Sequence, residues 1–275
     1  MKIVLTGASS GIGRYLTTAL AQTHDVWGIA RNETTLAALQ VEIGTGFTFS
    51  TANVSDWDSM SAVAKQVGET WAQVDALICC AGVVTPIGPA MQADPQQWSD
   101  TVRVNLEGTF FSLRAFFHLL QQALPRAKVL CFSGGGATGP RPNFTAYASA
   151  KAGLVRLVEN LAVEWSGSAV DINAIAPGAI ATRMTQAVVE AGPGYAGEEE
   201  YANALEQQSA IGETMGCVTA LVEYLLSPVS DGISGRLISA LWDPWQDLAQ
   251  HRAKLADSDI YTLRRVVPAD RGAPW

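Results

Sequence analysis

Lys2-Ile3-Val4-Leu5-Thr6-Gly7-Ala8-Ser9-Ser10-Gly11-Ile12-Gly13 is an apolar run that breaks into a glycine-spaced turn. The run predicts a buried strand over 2–5, and the residues beyond the turn predict a helix over 11–22. Glycines at 7, 11 and 13 let the backbone turn tightly and come close to a ligand. The helix N-terminus that follows favours the negative charge of a pyrophosphate. A glycine triplet alone is a weak signal, but at the first strand-to-helix junction of an alternating chain it becomes specific.

The alternation continues outward from that turn. Further short apolar runs predict strands at 26–30, 47–51, 76–80, 128–133, 169–174 and 236–240. Between them, helices are expected over 33–42, 57–71, 96–124, 147–165 and 218–226, with Asp56 and Asp94-Pro95 as start signals. Such a chain builds a parallel sheet covered on both faces. One segment interrupts the pattern: residues 191–200 carry four Gly or Pro residues and then three glutamates, which reads as a mobile insertion.

Composition narrows the function. A length of 275 residues suits one large domain, with or without an appendage. A formal charge of -8 argues against nucleic acid and against anionic membrane surfaces. No apolar run approaches the ~20 residues of a bilayer span, and the first residues do not form a signal peptide. The four cysteines, Cys79, Cys80, Cys131 and Cys217, have no metal-binding spacing, and the three histidines form no cluster. A cytoplasmic protein with reduced thiols and no metal is the expectation.

The chemistry is carried by Tyr147-Ala-Ser-Ala-Lys151. Residues four apart on a helix share a face, with Cβ atoms ~5–6 Å apart. A fixed ammonium beside a phenol favours the phenolate, so the pair suits proton donation and acceptance near neutrality.

Together, Gly7-x-x-x-Gly11-x-Gly13, Tyr147-x-x-x-Lys151, Pro177-Gly178 and Asn105 in Val-Asn-Leu-Glu-Gly-Thr-Phe resemble the short-chain dehydrogenase/reductase family, in unbroken order from residue 2 to about 240. The resemblance implies an α/β fold: a doubly wound, Rossmann-type sheet of seven parallel strands with helices on both faces, in one domain. It also implies a homodimer or homotetramer, with 1–241 as the dinucleotide-binding and catalytic domain and 242–275 as a C-terminal extension. In the family the tyrosine exchanges a proton with the reacting oxygen. The lysine lowers its pKa and holds the nicotinamide ribose, and the asparagine positions a water. These roles fall to Tyr147, Lys151 and Asn105.

The resemblance also places the cofactor contacts. Thr6, Gly7, Ser9, Ser10, Gly11, Ile12 and Gly13 form the phosphate turn. Pro177, Gly178, Ile180 and Thr182 pack over the nicotinamide, and Ala81 and Gly82 lie near the adenine ribose. Ala30 stands where NAD-preferring members carry Asp and is followed by Arg31, whose guanidinium suits a 2′-phosphate, so NADP is expected and NAD remains possible. Asn53-Val54 replaces the usual Asp-Val, and the Asn53 amide oxygen can still accept from the adenine amino group. Cys79-Cys80 replaces the usual Asn-Asn. A thiol cannot replace the hydrogen bonds of an asparagine amide, so local support must come from elsewhere.

Two parts depart further. The family's substrate-holding serine falls on Gly134, in Ser133-Gly134-Gly135-Gly136. Either the glycines let the backbone shift and bring Ser133 to the substrate, which is the preferred reading, or the job passes to a glycine N–H, to Thr138, or to nothing. Residues 183–209 should form a variable substrate lid, with Tyr195 and Tyr201 as candidate contacts. The extension holds Trp242, Trp245, Tyr261, Trp275, Arg264 and Arg265, and either covers a substrate entrance or packs on its own domain. The expected function is an NADP-dependent oxidoreductase acting on a carbonyl/alcohol pair in a small molecule. The alternatives are an epimerase or dehydratase that recycles its cofactor, and a catalytically weak NADP-binding regulator.

Overall fold

The computed structural model describes residues 1–207 and 211–275, with side chains left out at 211–213. Seven strands form one parallel sheet in the order β3-β2-β1-β4-β5-β6-β7: β1 Lys2–Thr6, β2 Asp25–Ala30, β3 Phe47–Thr51, β4 Ala76–Cys79, β5 Ala127–Phe132, β6 Val170–Ala176 and β7 Leu237–Ser239. The order reverses between β1 and β4, and the crevice at such a switch point is where ligands bind on open α/β sheets.

Alternating side chains feed two cores. Ile3 and Leu5 pack on one face with Leu16 and Leu20 of α1 (Gly11–Leu20), Leu36 and Leu39 of α2 (Glu33–Ile43), and Val218, Leu221 and Val222 of α10 (Ile211–Leu226). Val4, Leu77, Val129 and Ile172 face the other way. They meet Met60 and Val67 of α3 (Trp57–Thr70), Phe116 of α5 (Gly108–Leu120), and Leu154 and Val158 of α6 (Thr145–Glu164).

Two expectations are corrected. The single helix over 96–124 is instead α4 (Pro95–Val102), a π-helical turn (Arg103–Glu107) and α5. Asn105 is the cause: its Nδ2 donates to the Thr101 carbonyl at 2.9 Å, the acceptor a regular turn would offer the Asn105 N–H, and to the Val83 carbonyl at 2.8 Å on another segment. The insertion at 191–200 is helical. α7 (Arg183–Ala191), α8 (Pro193–Ala196) and α9 (Glu198–Gln207) are separated by Gly192 and Gly197 at φ 74° and 93°. The three glutamates sit in the first turn of α9, where the helix dipole favours negative charge. The final residues of the expected lid, 208 and 209, lie outside the described residues.

The tail packs on its own domain. Trp245 and Leu248, in a 3-10 turn, and Leu255 of α11 (Arg252–Ala256) join the α1-side core. Arg236 donates to the Ser258, Ile260 and Leu255 carbonyls, and Leu237 N–H donates to Tyr261 O, so the segment lies along the β7 edge.

Candidate active site

A cleft of about 960 Å³ opens at the C-terminal ends of the strands. Its walls include Gly7, Ser9, Ser10, Gly11, Ile12, Gly13, Arg31, Asn53, Val54, Ala81, Gly82, Ser133, Tyr147, Lys151, Pro177, Gly178, Ile180 and Thr182. The topology therefore gathers nearly every expected site residue. Thr6 and Asn105 stand behind the wall, at 1% and 0% exposure.

Their contacts show what they do there. The Thr6 hydroxyl oxygen accepts from Cys80 N at 3.2 Å and Ala81 N at 3.3 Å, supplying the support that the Cys79-Cys80 departure removed from its own strand. Asn105 Oδ1 accepts from Val83 N at 3.3 Å and lies only 2.7 Å from where a Cβ on Gly82 would stand, so only glycine fits that position.

The turn is shaped as a cradle. A Cβ on Gly7 would come within 2.8 Å of Ala81 N, and one on Gly13 within 2.2 Å of the Gly7 carbonyl. Gly11, at φ 53°, faces Thr182 Cγ2 across the cleft. Thr182 caps α7 by accepting from Met184 N, and Gly178, at φ 81°, has no room for a side chain beside Leu241. A dinucleotide fits this donor set: bare backbone at a helix N-terminus for a pyrophosphate and an exposed guanidinium at Arg31 for a further phosphate. The Asn53 amide oxygen accepts from Ser55 N and Ser55 Oγ at 3.2 and 2.9 Å, which orients the side chain.

Tyr147 and Lys151 project from the first two turns of α6 into the cleft wall. Lys151 Nζ donates to the Phe132 carbonyl at 2.7 Å and stands 5.6 Å from the Tyr147 ring centre. Burial dominates the electrostatics of the pair. Burial raises the Tyr147 pKa, and Arg141 opposes the rise. Burial likewise lowers Lys151 to about 8. In this enclosed site desolvation outweighs the pairing of two charges. Cys80 is itself pushed up to about 12 by burial, so its thiol is held protonated.

Gly134 has a definite role in this geometry. A Cβ there would fall 2.1 Å from Tyr147 Oη, so the hydroxyl occupies the space a side chain would need. Ser133 precedes it, with its Oγ buried and without a hydrogen-bond partner among the described residues. Glu200 of the expected lid and Trp242 of the extension also border the cleft, as do Arg141 and Asp243, which no local pattern marks because their neighbours come from distant segments.

A doubly wound sheet with a glycine cradle and a buried tyrosine–lysine pair at its switch point defines a nucleotide-binding α/β enzyme. The family model described as short chain dehydrogenase matches residues 1–192, and the chain belongs to that family of oxidoreductases. It is 33% identical over 184 residues to galactitol 2-dehydrogenase (L-tagatose-forming) of Cereibacter sphaeroides, covering 66% of this chain and 72% of the relative. Among solved structures, levodione reductase superposes with a TM-score of 0.76 at 25% identity, covering 90% of this chain and 98% of that one. A short chain dehydrogenase of Escherichia coli CFT073 complexed with NADPH superposes at 0.75 and 24% identity, covering 87% and 95%.

Proposed function

We propose that this protein is an NADP-dependent oxidoreductase that interconverts a carbonyl and an alcohol on a small organic substrate. The observation that carries the reading is the placement of Tyr147 and Lys151 on the wall of the cleft whose other end is the Gly7–Gly13 cradle. When bound, the nicotinamide supplies or takes up the hydride. Tyr147 exchanges the proton with the reacting oxygen, Lys151 holds the ribose, and Asn105 keeps the π-turn and the Gly82 backbone in register. Arg31 at the end of β2 favours the extra phosphate of NADP, and the NADPH complex of the Escherichia coli relative is consistent with that choice. With a glycine at 134, the substrate oxygen is held by Tyr147 together with Ser133, which borders the cleft and whose buried Oγ has no other partner among the described residues, or with a backbone N–H of the glycine run. Assembly as a homodimer or homotetramer belongs to the same proposal.

The first test is titration with NADPH and NADH, followed by a carbonyl panel read by loss of reduced-cofactor absorbance. NADPH should bind more tightly, and Arg31→Ala should erase on the order of tenfold or more of that preference. Tyr147→Phe should abolish turnover and leave NADPH affinity intact. Binding without turnover across a broad panel would favour a cofactor-binding regulator instead, a reading that draws on the absence of a serine at 134.

A further inference from the structure

Ser133-Gly134-Gly135-Gly136 is the motif that the oxidoreductase reading leaves unexplained, and the structure gives the space it frees to two side chains. One is the Tyr147 hydroxyl over Gly134. The other is Arg141. A Cβ on Gly136, at φ 89°, would meet Ala148 Cβ at 2.7 Å and Arg141 Cβ at 3.0 Å, whereas one on Gly135 would make only ordinary contact with Arg141 Nη1 at 3.6 Å. The missing side chain at Gly136 thus lets Arg141 and the start of α6 lie close together. Its guanidinium carbon stands 4.2 Å from the centre of the Phe144 ring and 5.6 Å from that of Tyr147. Both distances lie within the range of a cation–π contact.

The orientation is fixed from the far side of the cleft. Arg141 Nε and Nη2 donate to the two carboxylate oxygens of Glu200 at 2.8 and 2.7 Å. A two-point fork of this kind fixes the plane of the guanidinium as well as its position. The Arg141 side chain is 19% exposed and that of Glu200 33%, so the pair is partly shielded from solvent. Glu200 lies in the first turn of α9, far along the chain from Tyr147.

We propose that Arg141 is a positioning residue for Tyr147: its guanidinium, held by Phe144 and Glu200, supplies a second positive charge, beside that of Lys151, that favours the phenolate, and Glu200 moderates that charge from α9. The inference rests on the acid–base role assigned to Tyr147 above. The groups that bear on the phenol are Arg141 from the β5–α6 loop, Lys151 from the next turn of α6, Cys80 from the end of β4, and Glu200 through its pair with Arg141. Arg141 Cζ and Lys151 Nζ both stand 5.6 Å from the Tyr147 ring centre, so the arginine places a second cation beside the phenol, and it opposes the rise that burial imposes.

The test needs neither substrate nor cofactor. The full chain, isotope-labelled at the tyrosine Cζ, is titrated by NMR, and the Tyr147 resonance is assigned by its loss in Tyr147→Phe. Arg141→Met should move the Tyr147 titration upward by about one pH unit, and Arg141→Lys should recover part of the shift. Glu200→Gln should move it downward, because the same arginine then acts without its counter-charge. Both Arg141→Met and Glu200→Gln break one ion pair, so a purely structural clamp would move the titration in the same direction in both. Shifts of the same sign would overturn the proposal. So would an unmoved resonance in Arg141→Met, or a Tyr147 that fails to titrate below the unfolding limit in every variant. Such a failure leaves the oxidoreductase reading standing, which depends on turnover and not on Arg141.

Discussion

Gly134 and Lys151 show how single residues set the character of the site. The Tyr147 hydroxyl lies where a side chain at 134 would begin, so restoring the family serine should not restore anything here. Gly134→Ser should displace the phenol and lower kcat by about 10²-fold, the scale of an ångström's misplacement at a reacting centre. A serine variant as active as the parent would mean that the glycine has no such role. Lys151 makes the opposite kind of contribution, to function at the expense of stability. Its pKa in the folded protein, about 8, lies below the ordinary lysine value, so the unfolded chain holds this proton more tightly. The penalty is therefore present in full below about pH 8 and is relieved as the pH rises toward the ordinary lysine value. Lys151→Met should be inactive yet more stable near pH 7, by up to on the order of 3 kcal/mol, at about 1.4 kcal/mol per pKa unit. Its advantage should shrink by about pH 9.5, as measured by paired urea melts at the two pH values. An advantage independent of pH would place its origin in packing rather than in charge.

At the scale of elements, the hydroxyl of Thr6 at the end of β1 joins two parts of the cleft floor. It accepts from the Cys80 and Ala81 amides as the chain leaves β4. Thr6→Val keeps the shape and removes the acceptor, leaving those N–H groups without their partner. It should cost about 1–3 kcal/mol in unfolding free energy and weaken NADPH binding, since Ala81 abuts the Gly7 turn. Equal melting and equal affinity in the variant would show that the contact is dispensable. The strands and most helices were legible in the sequence, because a parallel sheet covered on both faces needs continuous apolar runs, and these need no knowledge of partners. The π-turn at Asn105 was not resolved, because its cause is a pair of carbonyls, one of them at Val83 on another segment. The helices at 193–207 were missed for a related reason. Gly192, Pro193 and Gly197 read as loop chemistry, while in the fold they punctuate short helices and place Glu200 opposite Arg141.

Across the whole molecule, the tail both completes a core and borders the cleft. Trp245 is buried under the sheet with its Nε1 donating to the Ala240 carbonyl, whereas Trp242, three residues earlier, is 74% exposed and lines the cleft. Trp245→Ala should destabilise the protein by about 3–5 kcal/mol through the cavity it leaves. Trp242→Ala should leave the melting temperature nearly unchanged and, on the reading in which the extension covers the substrate entrance, raise KM for a bulky carbonyl substrate. An unchanged KM would confine the tail to a structural role. By itself the sequence determined the alternation of strands and helices, the glycine turn and the Tyr147–Lys151 pair, because each is written in residues within a turn or a strand of one another. Only the tertiary structure decided that burial governs the charges of that pair, that Gly134 yields its space to the Tyr147 hydroxyl, and that Arg141 and Glu200, 59 residues apart, meet beside it. Desolvation and close approach depend on which distant segments the sheet brings together, and no local pattern encodes that.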